Sequence, residues 1–92
     1  MATYQSNQEF YDDIDSAIEM MRHEGFHSDS EEINFLLHKV AWTTNSELFG
    51  DLRNKFISIL EKNSDFPVEL RDKLRLFIAT INVAEDRANG KI

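Results

Sequence analysis

Apolar residues recur along most of this chain at steps of three and four, the spacing that at ~100° per residue gathers side chains on one face of an α-helix. Between Trp42 and Lys62, the residues Leu48, Phe49, Leu52, Phe56, Ile59 and Leu60 fill one broad arc, wide enough to meet two neighbouring helices. Thr44 and Glu47 have the spacing of a capping box, so the helix is predicted to begin there. Gly50 falls opposite the arc, where it costs on the order of 1 kcal/mol in helix propensity and leaves the core undisturbed. An earlier helix starts at a second box, Ser6 with Glu9, and carries Phe10, Ile14, Ala17, Ile18 and Met21 on one face up to Gly25, a natural residue just past a helix end.

Between these two helices, Ser28, Asp29 and Ser30 are candidate caps, with Glu31 and Glu32 placed to complete a box, for a short helix that turns Ile33, Leu36, Leu37 and Val40 inward. Phe35, His38 and Trp42 form a second stripe on its other side, which predicts in the commoner case a helix sandwiched between neighbours and in the rarer one an aromatic anchor presented to a partner. Pro67 suits the first position of a last helix, whose main face is Leu70, Leu74, Phe77, Ile78, Ile81, Ala84 and Ala88, with Asn89 and Gly90 as the stop. β-branched residues are sparse and no alternation persists, so no strand is predicted. All links are short, which places successive helices side by side and antiparallel. The pattern thus predicts an all-α chain, a single domain over residues 1–92 folded as a four-helix up-and-down bundle with helices at 6–24, 30–41, 44–62 and 67–88.

Length and composition narrow the function more than they name it. A chain of 92 residues builds one core with little volume left for a deep pocket. It has no cysteine, which removes disulfides, thiolate metal sites and a cysteine nucleophile. The opening MATYQSNQEF lacks the basic and apolar regions of a signal peptide, and no apolar run reaches membrane-spanning length. A cytoplasmic location is expected.

Seventeen acidic against ten basic side chains give a formal charge of −7, which argues against direct binding to nucleic acid or to an anionic membrane. Residues 1–32 hold nine acids and one base, Arg22, whereas residues 33–92 hold eight acids and nine bases. All of the excess negative charge therefore belongs to the first third. On the first helix Asp12, Asp15 and Glu19 fall together opposite the core, with Asp13 to one side and Tyr11 at the edge of the apolar arc. Like charges at these spacings destabilise a helix by a few tenths of a kcal/mol each. Such a face is either solvated surface, helped by Asp12 and Asp13 near the positive helix start, or a surface kept for a partner.

Catalytic patterns are missing. The sequence contains no nucleophile elbow, glycine-rich phosphate loop, His-Glu-x-x-His run or EF-hand loop. His23 and His27 have i,i+4 spacing, but Gly25 lies between them. Asp12, Asp15, Glu19 and His23 share a stripe without the paired Glu-x-x-His motifs of a carboxylate-bridged metal site. The chain is accordingly expected not to be an enzyme, and no cofactor or metal is expected. What remains is a binding surface: an acidic helical face steers a basic protein by its field, and a few aromatic anchors, Tyr4 and Tyr11, supply affinity.

The run from Leu37 to Leu52, LHKVAWTTNSELFGDL, resembles a segment of the small helical immunity proteins of bacterial contact-dependent inhibition and related polymorphic-toxin systems. The resemblance implies a helical protein that sits on or beside the active site of a cognate toxin and blocks its substrate without chemistry of its own. Toxin-contacting positions vary in these proteins, so the binding residues rest on charge and helix geometry. They are Tyr11, Asp12, Asp13, Asp15 and Glu19, with Asp29, Glu31 and Glu32 as a second acidic edge at the start of helix two. The expected partner is a basic toxin domain, most naturally a nuclease, whose phosphate sites the carboxylates would occupy. Two other readings stay open. One is a homo-oligomer assembled through Leu76, Ala79 and Val83 on the last helix, and the other is a phage-type mimic of nucleic acid aimed at a host defence enzyme.

Overall fold

The computed structural model describes residues 4–39, 45–63 and 65–88. It contains α1 (Asn7–His23), α2 (His27–His38), α3 (Asn45–Lys62) and α4 (Val68–Ala88), with no strand among the described residues. The α1 helix packs on α2 and α4, and α3 packs on the same two. This closed square is the four-helix bundle that the apolar spacing predicts.

Local chemistry sets the ends of α1. The Ser6 hydroxyl accepts from the Glu9 amide at 3.2 Å, while the Glu9 carboxylate reaches back to the Gln5 amide at 3.5 Å. At the other end the Phe26 amide donates to the Met21 carbonyl at 2.8 Å and the Gly25 amide to the Arg22 carbonyl at 3.1 Å. This pair of bonds needs a left-handed residue, and Gly25 supplies it with φ 91°. The Phe26 ring then packs edge-on against Phe66, 4.7 Å between centroids, and closes that end of the bundle.

One core runs the length of the molecule. Phe10, Ile14, Ala17, Ile18 and Met21 come from α1, and Leu48, Phe49, Leu52, Phe56 and Ile59 from α3. Leu70, Leu74, Phe77 and Ile81 come from α4, with Phe66 from the preceding link. Burial of each large apolar side chain is worth roughly 1.5–3 kcal/mol, so the two long-faced helices and α1 dominate cohesion. The α2 helix gives the core a single fully buried apolar residue, Ile33, with Leu36 and Leu37 partly buried beside it.

The α2 helix departs most from the sequence pattern. It begins at His27, three residues before the expected start, because the chain leaves the α1 end already in helical geometry: the Ser30 amide bonds to the Phe26 carbonyl at 3.0 Å. None of the three expected caps serves as one. The Ser30 hydroxyl donates back to the His27 carbonyl at 2.9 Å, and Asp29 turns inward to the end of α3. Helix α2 ends at His38; Val40, Ala41, Trp42 and the Thr44 cap lie outside the described residues, as do Asn89 and Gly90. Helix α4 begins at Val68, with the Pro67 carbonyl accepting from the Arg71 amide at 2.8 Å, so the proline is the cap and not the first helical residue.

The predicted sandwiching of α2 does not occur at Phe35. Its ring is 56% exposed. The reason is rotational: α1 and α3 are both met by the arc of Ile33, Leu36 and Leu37, and Phe35 stands ~200° round the helix from Ile33.

Candidate functional site

The acidic residues singled out by charge divide into two groups when placed in the fold. Asp13 and Asp29 are used to hold the bundle together. The Asp13 carboxylate is partly buried between α1 and α4, where Oδ2 accepts from the Tyr4 hydroxyl at 2.6 Å and Oδ1 from Lys73 Nζ at 2.7 Å. Burial pushes its pKa up, but the bonds from Lys73 and Tyr4 together outweigh that and leave it below the ordinary carboxyl value. The Tyr4 phenol moves the opposite way, raised first by burial and then by the adjacent Asp13 charge. Asp29 is 6% exposed. Its Oδ1 forms an ion pair with Lys62 Nζ at 2.8 Å and lies 3.7 Å from Lys55 Nζ, while Oδ2 takes a long bond of 3.4 Å from Asn63 Nδ2. The pairing raises the Lys62 pKa. Asp29 is thus no part of an outward acidic edge.

Tyr11, the expected anchor, is also committed inward. It is half-buried, its ring 6.1 Å from Phe10 and 6.3 Å from Phe49, and burial raises its hydroxyl pKa.

The remaining five carboxylates, Asp12, Asp15, Glu19, Glu31 and Glu32, form a band that crosses from α1 over α2. Asp12 is exposed and accepts from Gln8 Nε2 at 2.8 Å. One turn on, Asp15 Oδ1 lies 2.6 Å from His38 Nε2 on α2. Arg22 then joins the two helices: it pairs with Glu19 on its own helix and donates from Nη2 to Glu31 Oε1 at 2.7 Å. The hydrogen bonds that Arg22 donates to Glu31 and Glu19 raise its pKa further, so it is charged at every working pH. On the far flank of α2, Glu32 pairs with Lys55 of α3. Exposed pairs of this kind contribute about 0–1 kcal/mol each, so their main effect is to fix where the carboxylates stand. Two cations, Arg22 and Lys55, face five carboxylates, and the band keeps negative charge in excess even with these pairs made.

Phe35 stands in the middle of the α2 part of the band. Glu31 and Glu32 are four and three positions before it, and together with Ser28 and Leu36 they line an open groove of about 400 Å³. Phe35 is thus a solvated aromatic flanked by two carboxylates that are each paired to a neighbouring helix. The spacing of Glu31, Glu32 and Phe35 is visible in the sequence, and at Phe35 the structure gives the rarer of the two readings of the stripe, an aromatic that faces outward.

Other candidates are less coherent. Along the α4 stripe Leu76 and Val83 are half-buried and only Ala79 is exposed, which leaves little apolar surface there for a second copy. His23 closes α1 and His27 opens α2, both exposed. Among the described residues no group of three or more histidine, aspartate or glutamate side chains is placed to hold a metal ion. No helix in them is long and apolar enough to cross a membrane. No protein-family model, curated protein or solved structure matches the chain.

Proposed function

We propose that this protein is an immunity-type inhibitor that binds a basic toxin domain, most naturally a nuclease, through the acidic band of α1 and α2 and so denies the toxin its substrate. One observation carries the reading: Phe35 is wet, central and flanked by carboxylates that the fold holds in place. Field attraction from the excess charge speeds encounter and favours a basic partner, and desolvation of the aromatic ring supplies affinity. In this reading Asp12, Asp15, Glu19, Glu31 and Glu32 take the place of substrate phosphates on the toxin, and the chain needs no chemistry of its own. Asp13, Asp29 and Tyr11 keep the scaffold rigid beneath them. The resemblance of residues 37–52 to immunity proteins is carried by cap and core residues and supports the fold more than the role.

The test is growth rescue. The C-terminal domain of a large secreted protein encoded immediately upstream is expressed in a bacterial host with and without this chain. Expression of the domain alone is expected to arrest growth and co-expression to restore it, with a stable complex recovered from the rescued cells. Arrest that this chain fails to relieve contradicts the proposal.

A further inference from the structure

We propose that the groove on the outer face of α2 is a seat for one arginine side chain of the partner, its guanidinium stacked on the Phe35 ring and its edge bonded to Glu31 and Glu32. The inference rests on the proposed acidic-face reading and adds the chemistry of the contact. The groove is lined by the apolar Phe35 and Leu36 together with the polar Glu31, Glu32 and Ser28.

The two carboxylates are half-used. Glu31 takes both Arg22 bonds, from Nε at 3.2 Å and Nη2 at 2.7 Å, on the single oxygen Oε1. Glu32 receives Lys55 on Oε2. Among the described residues no donor occupies Glu31 Oε2 or Glu32 Oε1, and the two side chains are already tied to α1 and α3.

A planar guanidinium fits this geometry because it separates two needs. Its face meets the aromatic ring while its in-plane N–H groups point sideways to acceptors on either flank. An ammonium group directs its protons in a cone and satisfies fewer of these contacts at once. The negative balance of the band, and of the molecule at −7, selects a cation over an apolar plug and disfavours a second copy of this like-charged chain.

Titration of the whole protein with N-acetyl-arginine amide and, separately, N-acetyl-lysine amide at low ionic strength, followed by NMR, tests the seat. The arginine amide is expected to bind in the millimolar range, with shifts centred on the Phe35 ring and the amides of residues 28–36. It should bind at least about threefold more tightly than the lysine amide. Phe35→Ala, an exposed position whose replacement leaves the fold intact by circular dichroism, should bring arginine down to the lysine level, and Glu31→Gln should weaken it as well. Equal binding of the two amides overturns the inference. So do shifts spread over Asp51, Glu61 and Glu69, or indifference to Phe35→Ala. Concentration-dependent broadening of the same signals without ligand assigns the groove to a second copy and overturns it too. A toxin held through Asp12, Asp15 and Glu19 by a chain without the seat would leave the proposed function standing. Conversely, a working seat in a chain that rescues no cell would remove the function and keep the seat.

Discussion

Asp29 and Phe35 lie on the same short helix and have exchanged the places that their side chains suggest, the carboxylate enclosed and the ring in water. Enclosing Asp29 is tolerable because Lys62 and Lys55 approach it from α3, so the charge is matched where it is desolvated. Removing it strands Lys55, which is itself mostly covered, with only Glu32 as partner. Asp29→Ala is therefore expected to cost about 1–3 kcal/mol in urea unfolding, below the ~3–5 kcal/mol of a fully buried broken pair because Lys62 is half in solvent. Glu19→Ala, which loses an exposed pair with Arg22, should change stability by no more than about 0.5 kcal/mol. Equal losses at the two positions would contradict this division between scaffold and surface carboxylates.

Between elements, polar ties do what apolar contact leaves undone. The α1 helix is fastened to α4 by Tyr4, Asp13 and Lys73, and to α2 by Asp15 with His38 and by Arg22 with Glu31. Arg53 of α3 pairs with Glu85 of α4 and donates to Asn82 at 3.1 Å. The α1–α4 tie gives stability a pH dependence with a definite sign. The folded pKa of Asp13 lies below its unfolded value, so its contribution is complete above about pH 4 and is lost as pH falls through the folded value. Tyr4 has a folded pKa above its unfolded value, so its contribution is complete below about pH 10 and is lost as pH rises beyond it. Melting temperature followed from pH 2 to 11 should fall at both extremes. Asp13→Asn should make both limbs shallower, and an unchanged profile would remove the tie from the account.

The same contrast explains what the sequence makes legible. Ser6, Glu9 and Gly25 end α1 where expected because their partners lie within one helical turn. The start of α2 is misplaced because the partner of Asp29 is Lys62, across the bundle, and nothing local to Asp29 reveals it. Asp13 is hidden for the same reason, its cation being Lys73 on α4. The band of Asp12, Asp15, Glu19, Glu31 and Glu32 is readable from charge alone; that Phe35 stands outward beside its α2 part requires knowing which helices flank α2.

At the scale of the whole molecule, a chain of net charge −7 folds so that three helices supply nearly all of the buried apolar surface and the fourth, α2, offers an open face. Of the acids of the first third, Asp13 and Asp29 are taken into internal pairs, and Asp12, Asp15, Glu19, Glu31 and Glu32 remain as one band over α1 and α2. This arrangement is the centre of the functional account, and it is open to a direct measurement. The affinity for the toxin domain used in the growth test is measured by calorimetry at about 50 and 300 mM salt, for the natural chain and for a variant carrying Asp12→Lys, Asp15→Lys and Glu19→Lys, with helicity checked by circular dichroism. The account predicts tight, salt-sensitive binding by the natural chain. It predicts about 100-fold weaker and nearly salt-independent binding by a variant that is still helical. Undiminished affinity in that variant would contradict it.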